Sequence, residues 1–301
     1  MLRNLDDINN AAISATDGQI GHVKDFYFDD DAWAVRYFVV ETGSWLNTRR
    51  VLVSPIAVMP PNWQDRSLPV KLTMEQVRNS PSIDTDKPVS RQHESQVLGY
   101  YGYPMYWGGA GLWGEGLYPD AMDPGFAGHG VTWEQREREM QAWLRAERDR
   151  HRNDNPRLRS CEAVTGYHIH AMAGDIGHLA GFLVDDQTWA IRYLVVDTSN
   201  WWLGHKVLVA PHWIQGVHWV DQTVSVDLTR EAIQTAPAYD PDRDWTAAQD
   251  LALHQHYGRS GYWADGGGDG SADSTARNTS ESKVECKLEN KVDSSLIETG
   301  R

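Results

Sequence analysis

From Gly18 to Phe28 the chain runs GQIGHVKDFYF, and from Trp33 to Val40 it runs WAVRYFVV. Both are rich in β-branched and aromatic residues and show the two-residue alternation of strands. Asp29, Asp30 and Asp31 stand between them, and short acids of this kind fold back onto their own backbone in turns. In the second run, Trp33, Val35, Tyr37 and Val39 share one face; Ala34, Arg36, Phe38 and Val40 share the other. Apolar groups on both faces predict a strand covered on both sides, as in a small barrel with something packed against its outside. Thr42 to Thr48 reads as a turn, Arg50 to Val53 as a third strand, Ile56 to Met59 as a fourth and Leu68 to Leu72 as a fifth. At Thr73 the pattern changes to a short helix, with Thr73 as a hydroxyl cap, Gln76 three residues on, and Pro81 as the stop.

The same pattern is written a second time. DDDAWAVRYFVVETGSWL, from Asp29 to Leu46, returns as DDQTWAIRYLVVDTSNWW from Asp185 to Trp202, 156 positions later, the distance from Gly21 to Gly177. In this register Gly18, Ile20, His22 and Phe26 meet Gly174, Ile176, His178 and Phe182, and VLVSP at Val51 meets VLVAP at Val207. Thr229 and Pro237 repeat the helix cap and stop, and YYGYPMYW, ending at Trp107, is echoed by HYGRSGYW, ending at Trp263. Each copy of roughly 100 residues is long enough to bury its own core.

The order Gly-x-Ile-Gly-His, Asp-Asp-x-x-Trp-Ala, Arg-Tyr-x-Val-Val, Val-Leu-Val-x-Pro and the Leu-Thr helix resembles the PRC-barrel family in a tandem bacterial form. That family is related to the cytoplasmic domain of the photosynthetic reaction centre H subunit, and a related domain ends the ribosome maturation factors. The resemblance implies a mainly β chain of two small antiparallel PRC-type β-barrels in tandem, each followed by a short helix. The implied division is residues 1–107 for the first barrel with its aromatic strap, 108–160 for a linker, 161–263 for the second barrel and strap, and 264–301 for a tail.

The connecting segments differ in kind. LGYYGYPMYWGGAGLWGEGLYPD, from Leu98 to Asp120, has too much glycine for a helix or strand interior and too much ring area to stay solvated. Docking against the barrels is the reading favoured here, with an exposed partner surface at Tyr101, Tyr106 and Trp107 as the alternative. TWEQREREMQAWLRAERDRHR, from Thr132 to Arg152, predicts a charged connecting helix with one stripe of Trp133, Met140, Trp143 and Leu144. From Gly266 the composition is that of a disordered polar tail.

Charge narrows the partners. Twenty-eight basic against 42 acidic residues give a formal net charge of −14, which disfavours phosphate backbones and anionic lipid. No stretch approaches the roughly 20 apolar residues of a spanning helix, and no N-terminal run resembles a signal peptide, so a cytoplasmic protein is expected. The two cysteines, Cys161 and Cys286, stand at non-equivalent places and supply neither a shared disulfide nor a zinc quartet.

Candidate chemistry is sparse. His168 and His170 lie two apart on a predicted strand, which puts both rings on one face as a candidate metal pair confined to the second copy. Asp29 and Asp185 are read as turn acids, and Gly21, Gly177, Trp33 and Trp189 as structural positions shared by the two copies. Arg36 and Arg192 stand among apolar neighbours and need a carboxylate, from a turn acid or from Glu41 and Asp197. No motif assembles a nucleophile with its base, so an enzyme is not expected, nor a cofactor. The function expected is a scaffold or adaptor that binds another protein or itself, with Trp201 and Trp202 as the leading surface. The rivals are a metal or small-ligand sensor in the second barrel and an accessory role beside photosynthetic electron transfer.

Overall fold

Each strand of the first half has a counterpart 156 positions on. The computed structural model describes residues 1–46, 48–81, 89, 91–107, 109–123, 158–172, 174–198 and 204–263. The helix expected over 132–152 and the tail from 264 lie outside the described residues.

The first half runs β1 (Leu2–Asn4), α1 (Leu5–Ile8), β2 (Ala12–Ala15), β3 (Gly18–Asp29), β4 (Ala34–Thr42), β5 (Arg50–Val53), β6 (Ser67–Pro69), α2 (Met74–Arg78) and α3 (Arg91–Tyr101). The second runs β7 (Leu158–Ser160), α4 (Cys161–Val164), β8 (His168–Ala171), β9 (Gly174–Asp185), β10 (Ile191–Asp197) and β11 (Lys206–Val209). It continues through β12 (Ile214–His218), β13 (Thr223–Val226), α5 (Arg230–Gln234) and α6 (Ala247–Tyr257). The long hairpin of β3 and β4 forms as the alternation predicts, and every residue of β4 except Glu41 is buried, so both of its faces are covered.

Two expectations are corrected. The fourth strand, Ile56 to Met59, is a 3₁₀ turn at Pro55–Ala57, because the Ser54 side chain accepts from the Ile56 N–H and Pro55 fixes the first helical position. The sheets are mixed rather than purely antiparallel: β2 pairs parallel with β6, and β8 pairs parallel with β13. Their orders are β5-β4-β3-β2-β6 and β11-β10-β9-β8-β13-β12, and neither order closes into a ring among the described residues.

The halves are interlocked. β1 leaves its own sheet and pairs with β9 of the second, Leu2 opposite Asp185; β7 pairs with β3 of the first, Leu158 opposite Asp29. Each half thus lends its leading strand to the other in the same register. At the centre, Ala34 and Ala190 form an antiparallel bridge, with Val35 N–H bonded to Trp189 O at 2.8 Å and Ile191 N–H to Trp33 O at 2.7 Å. Rings cross the same boundary: Phe28 meets Phe182 at 5.7 Å and Phe38 meets Trp189 at 4.8 Å. Both sheets belong to one compact unit, Met1–Gly261, and Tyr262–Arg301 is a second, in which the described rings of Tyr262 and Trp263 meet edge to face.

Two helices are absent from the sequence reading. α3 and α6, 11 residues each, begin and end at equivalent positions, so the echo of YYGYPMYW starts as the last turn of a helix in both halves. Thr246 and Gln249 form a capping box on α6, and Gly258 closes it at φ 61°, a left-handed cap that glycine adopts without strain.

Candidate functional site

Two seams follow from the strand exchange. At one, Arg3 on β1 donates from Nε to Asp186 Oδ2 at 2.8 Å and lies over the Trp63 ring at 4.1 Å. At the other, Arg159 on β7 donates from Nε to Asp30 Oδ2 at 2.8 Å and lies over Trp219 at 4.0 Å. The second turn acid of each hairpin therefore clamps the strand that the other half sends across. A guanidinium bound to a carboxylate on its edge and stacked on an indole on its face is held in a fixed orientation.

The first turn acid works inward. Asp29 Oδ1 accepts from the N–H groups of Asp31 and Ala32, and Asp185 Oδ1 from those of Gln187 and Thr188, which tightens both turns and delivers Trp33 and Trp189 at φ 49° and 58°. The other carboxylate oxygen, Oδ2, lies 3.9 Å from Arg36 in one copy and from Arg192 in the other. The turn acid is thus a carboxylate neighbour of the arginine in both copies. Gly21 and Gly177 are close-approach residues: an added Cβ would stand 2.0 Å from Glu41 O and Asp197 O respectively.

The aromatic segment docks inside. Arg36 is 2% exposed because Tyr106 and Trp113 cover its guanidinium at 3.9 and 4.6 Å, while it donates to Leu112 O at 2.7 Å. Trp113 is fully buried, and its indole N–H reaches across to Thr188 O at 2.8 Å. Tyr106 is buried and hydrogen-bonded to Glu94 of α3. Tyr101 is half-buried between Tyr100 and Tyr103, and burial pushes its hydroxyl up to about 12; Trp107 is half-buried against Tyr106. Trp201 and Trp202 lie outside the described residues. Trp45, the counterpart of Trp201, is half-buried with its N–H on Ile20 O at 2.7 Å.

The histidines separate into two groups. His168 and His170 are both exposed on β8, and His168 Nδ1 lies 3.3 Å from Asp175 Oδ2. Among the described residues no group of three or more His, Cys, Asp or Glu is placed to hold a metal ion. His254, which belongs to no sequence motif, is buried on α6 with Asp250; Tyr193 OH lies 2.5 Å from Asp250 Oδ1 and 2.8 Å from His254 Nε2. Trp245 donates to the same Asp250 oxygen at 3.0 Å. Desolvation is the main cause of a lowered His254 pKa, and His212, stacked on it at 5.9 Å, adds to it while Asp250 opposes it. With all of Tyr193, Asp250 and His254 buried, this cluster joins α6 to β10 and presents no reacting group to solvent. Its sequence signal is the pair Glu94 and Asp250, one buried acid at the same place in each half.

One accessible feature among the described residues is a cleft of about 730 Å³ at the seam formed by β7. Its wall carries Tyr27, Val39, Tyr167 and Trp219, and Val220, 95% exposed, stands at its edge. Lys24, Arg50 and Arg159 face it with Asp25 and Glu162, so charges of both signs come from both halves. Asp25 accepts from Ser160 Oγ at 2.6 Å and from the Glu162 N–H at 3.0 Å. Burial nevertheless raises its pKa above 3.8, against the opposing effect of those bonds. Neither Asp25 nor Ser160 was a sequence candidate. Cys161, beside them, is buried, and burial pushes its thiol well above the ordinary range, away from the reactive thiolate.

Residues 4–63 match the family model for the PRC-barrel domain. A PRC-barrel domain is therefore found at residues 4–63. This span includes the β3–β4 hairpin, the Asp29 turn and Gly21. No curated protein matches the chain. Among the described residues no helix is long and apolar enough to cross a membrane.

Proposed function

We propose that this chain is a non-catalytic scaffold of two tandem PRC-barrels that binds another protein or itself. The observation that carries the reading is the seam cleft: ring walls, an exposed valine, and paired charges contributed by both halves. Such a mixture of aromatic and flanking charged groups is the composition of protein-binding surfaces. The buried Tyr193, Asp250 and His254 cluster supports the same reading, since its polar groups are spent on holding a helix to a sheet.

The test is affinity capture of the tagged full chain from lysate of its source organism, read by quantitative mass spectrometry beside Val220→Glu, with sedimentation velocity for self-association. A protein enriched by the wild type and lost with the variant, or a concentration-dependent dimer, is expected. A chain that retains no specific protein and sediments as a monomer at all concentrations would overturn the reading.

A further inference from the structure

The helices α3 and α6 occupy equivalent places, yet what holds them differs. In the first half the 3₁₀ turn Pro55–Ala57 brings Ile56 and α3 brings Leu98, both apolar and buried. Their counterparts 156 positions on are His212, on the 3₁₀ turn Pro211–Trp213, and His254 on α6. The two imidazoles stack with centroids 5.9 Å apart and planes 6° from parallel, His212 exposed and His254 buried. Trp213 packs on His254 at 5.1 Å and on Tyr257 at 4.9 Å. Tyr193 donates its one hydroxyl proton to Asp250 Oδ1, so its oxygen accepts from His254 Nε2, and a further proton would arrive at Nδ1.

We propose that α6 is an acid-released helix: protonation of His254 against His212 undocks it from β10 while both sheets stay paired. Among the described residues, the groups that face His254 are Tyr193 from β10, Asp250 and Tyr257 from α6 itself, Trp245 from the segment before the helix, and His212 and Trp213 from the 3₁₀ turn. Beyond the helix end Arg259, whose N–H donates to His254 O, turns its guanidinium to Asp227 at 2.7 Å. Asp250 and the backbone at Ser260 favour a cation on His254; burial, the largest effect, and His212 oppose it and prevail. The ring is therefore neutral in the docked helix and takes its proton more readily once α6 has left, so acid draws the helix away from the sheet. Docking by the neutral ring is at full strength above 6.5 and weakens as pH falls through that value. Release bares Trp213, Trp245 and Tyr257, all buried while α6 is in place. α3, with Ile56 and Leu98, has no imidazole at either position.

The experiment is hydrogen exchange of the full chain, read by mass spectrometry at about pH 7.5 and about pH 5.5 and corrected for the intrinsic exchange rate at each pH, with α3 as the control within the same molecule. Amides of α6 are expected to lose protection by about threefold or more on acidification, the ceiling for one histidine titrating near 6.5 being about tenfold over this interval. Those of α3, β9 and β10 are expected to stay within about twofold. His254→Leu is expected to remove the difference between the two helices, and His212→Ile, at an exposed position, to reduce it. Unchanged protection of α6, an equal loss in α3, a loss shared by β9 and β10, or an α6 response that survives His254→Leu would each overturn the release. The first three outcomes are read on the wild type, so a variant that fails to fold leaves the test standing.

Discussion

Ala34 and Ala190 face each other as an antiparallel bridge, each at the start of the central strand of its half and 156 positions apart in sequence. The bridge pairs each residue with its own counterpart, which places the local two-fold relation of the halves between these two alanines. Both are buried, and neither has a side chain beyond Cβ, which lets Trp33 and Trp189 carbonyls reach the opposite strand. The exchanged strands β1 and β7 lie symmetrically about this point. Neither sheet is complete without three residues of the other half.

Gly177 sits at φ 138° with the Asp197 carbonyl where a Cβ would stand. Gly177→Ala is expected to destabilise the protein by about 2–4 kcal/mol, combining backbone strain with a clash against backbone that cannot step aside. Equilibrium denaturation in urea measures it; a loss below half a kcal/mol would contradict the close approach.

Arg159 couples β7 to the first half through Asp30 and Trp219, with both charged side chains mostly buried. Arg159→Ala is expected to cost about 1–3 kcal/mol, and Arg159→Lys to recover only part, because an ammonium lacks the planar fork and the stacking face. Thermal unfolding of the two variants beside the wild type checks the order.

His254 is held neutral by burial, with its pKa below 6.5. The unfolded chain takes up a proton at this residue near 6.5 while the folded chain resists it, so the contribution is full above that value. It is lost as pH falls through 6.5 toward the folded pKa. The first half carries Leu98, fully buried, at the equivalent place, so His254→Leu uses a side chain that the fold already accommodates. Denaturation free energies at about pH 7.5 and about pH 5.5 are expected to differ less in the variant than in the wild type. An unchanged difference would remove His254 from the acid response.

The hairpins, turn acids, α2 and the repeat itself were legible, because each is encoded locally: alternation in β3 and β4, Asx bonding at Asp29 and Asp185, and a capping box at Thr73. The helices α3 and α6 were not. Their inner faces carry Glu94, Ser95, Asp250 and His254, so polarity breaks the apolar stripe by which a helix is recognised. The strand exchange was hidden for a different reason. Leu2 to Asn4 and Leu158 to Ser160 are three residues each, and because the halves share one pattern, either strand fits either sheet by local rules. The cleft at Asp25 escaped because it has no counterpart to reinforce it: the equivalent position is Gly181. The depth of Tyr106 follows from Arg36, whose burial requires rings and a carbonyl that only the folded chain brings together.

The cleft lies where a strand of one half meets the sheet of the other, so its integrity requires the two halves to be one folding unit. Differential scanning calorimetry of the full chain tests it directly. The interlocked sheets predict a single transition whose calorimetric and van't Hoff enthalpies agree, shifted as a whole by Arg159→Ala. Two separable transitions, with Arg159→Ala moving only one of them, would contradict it.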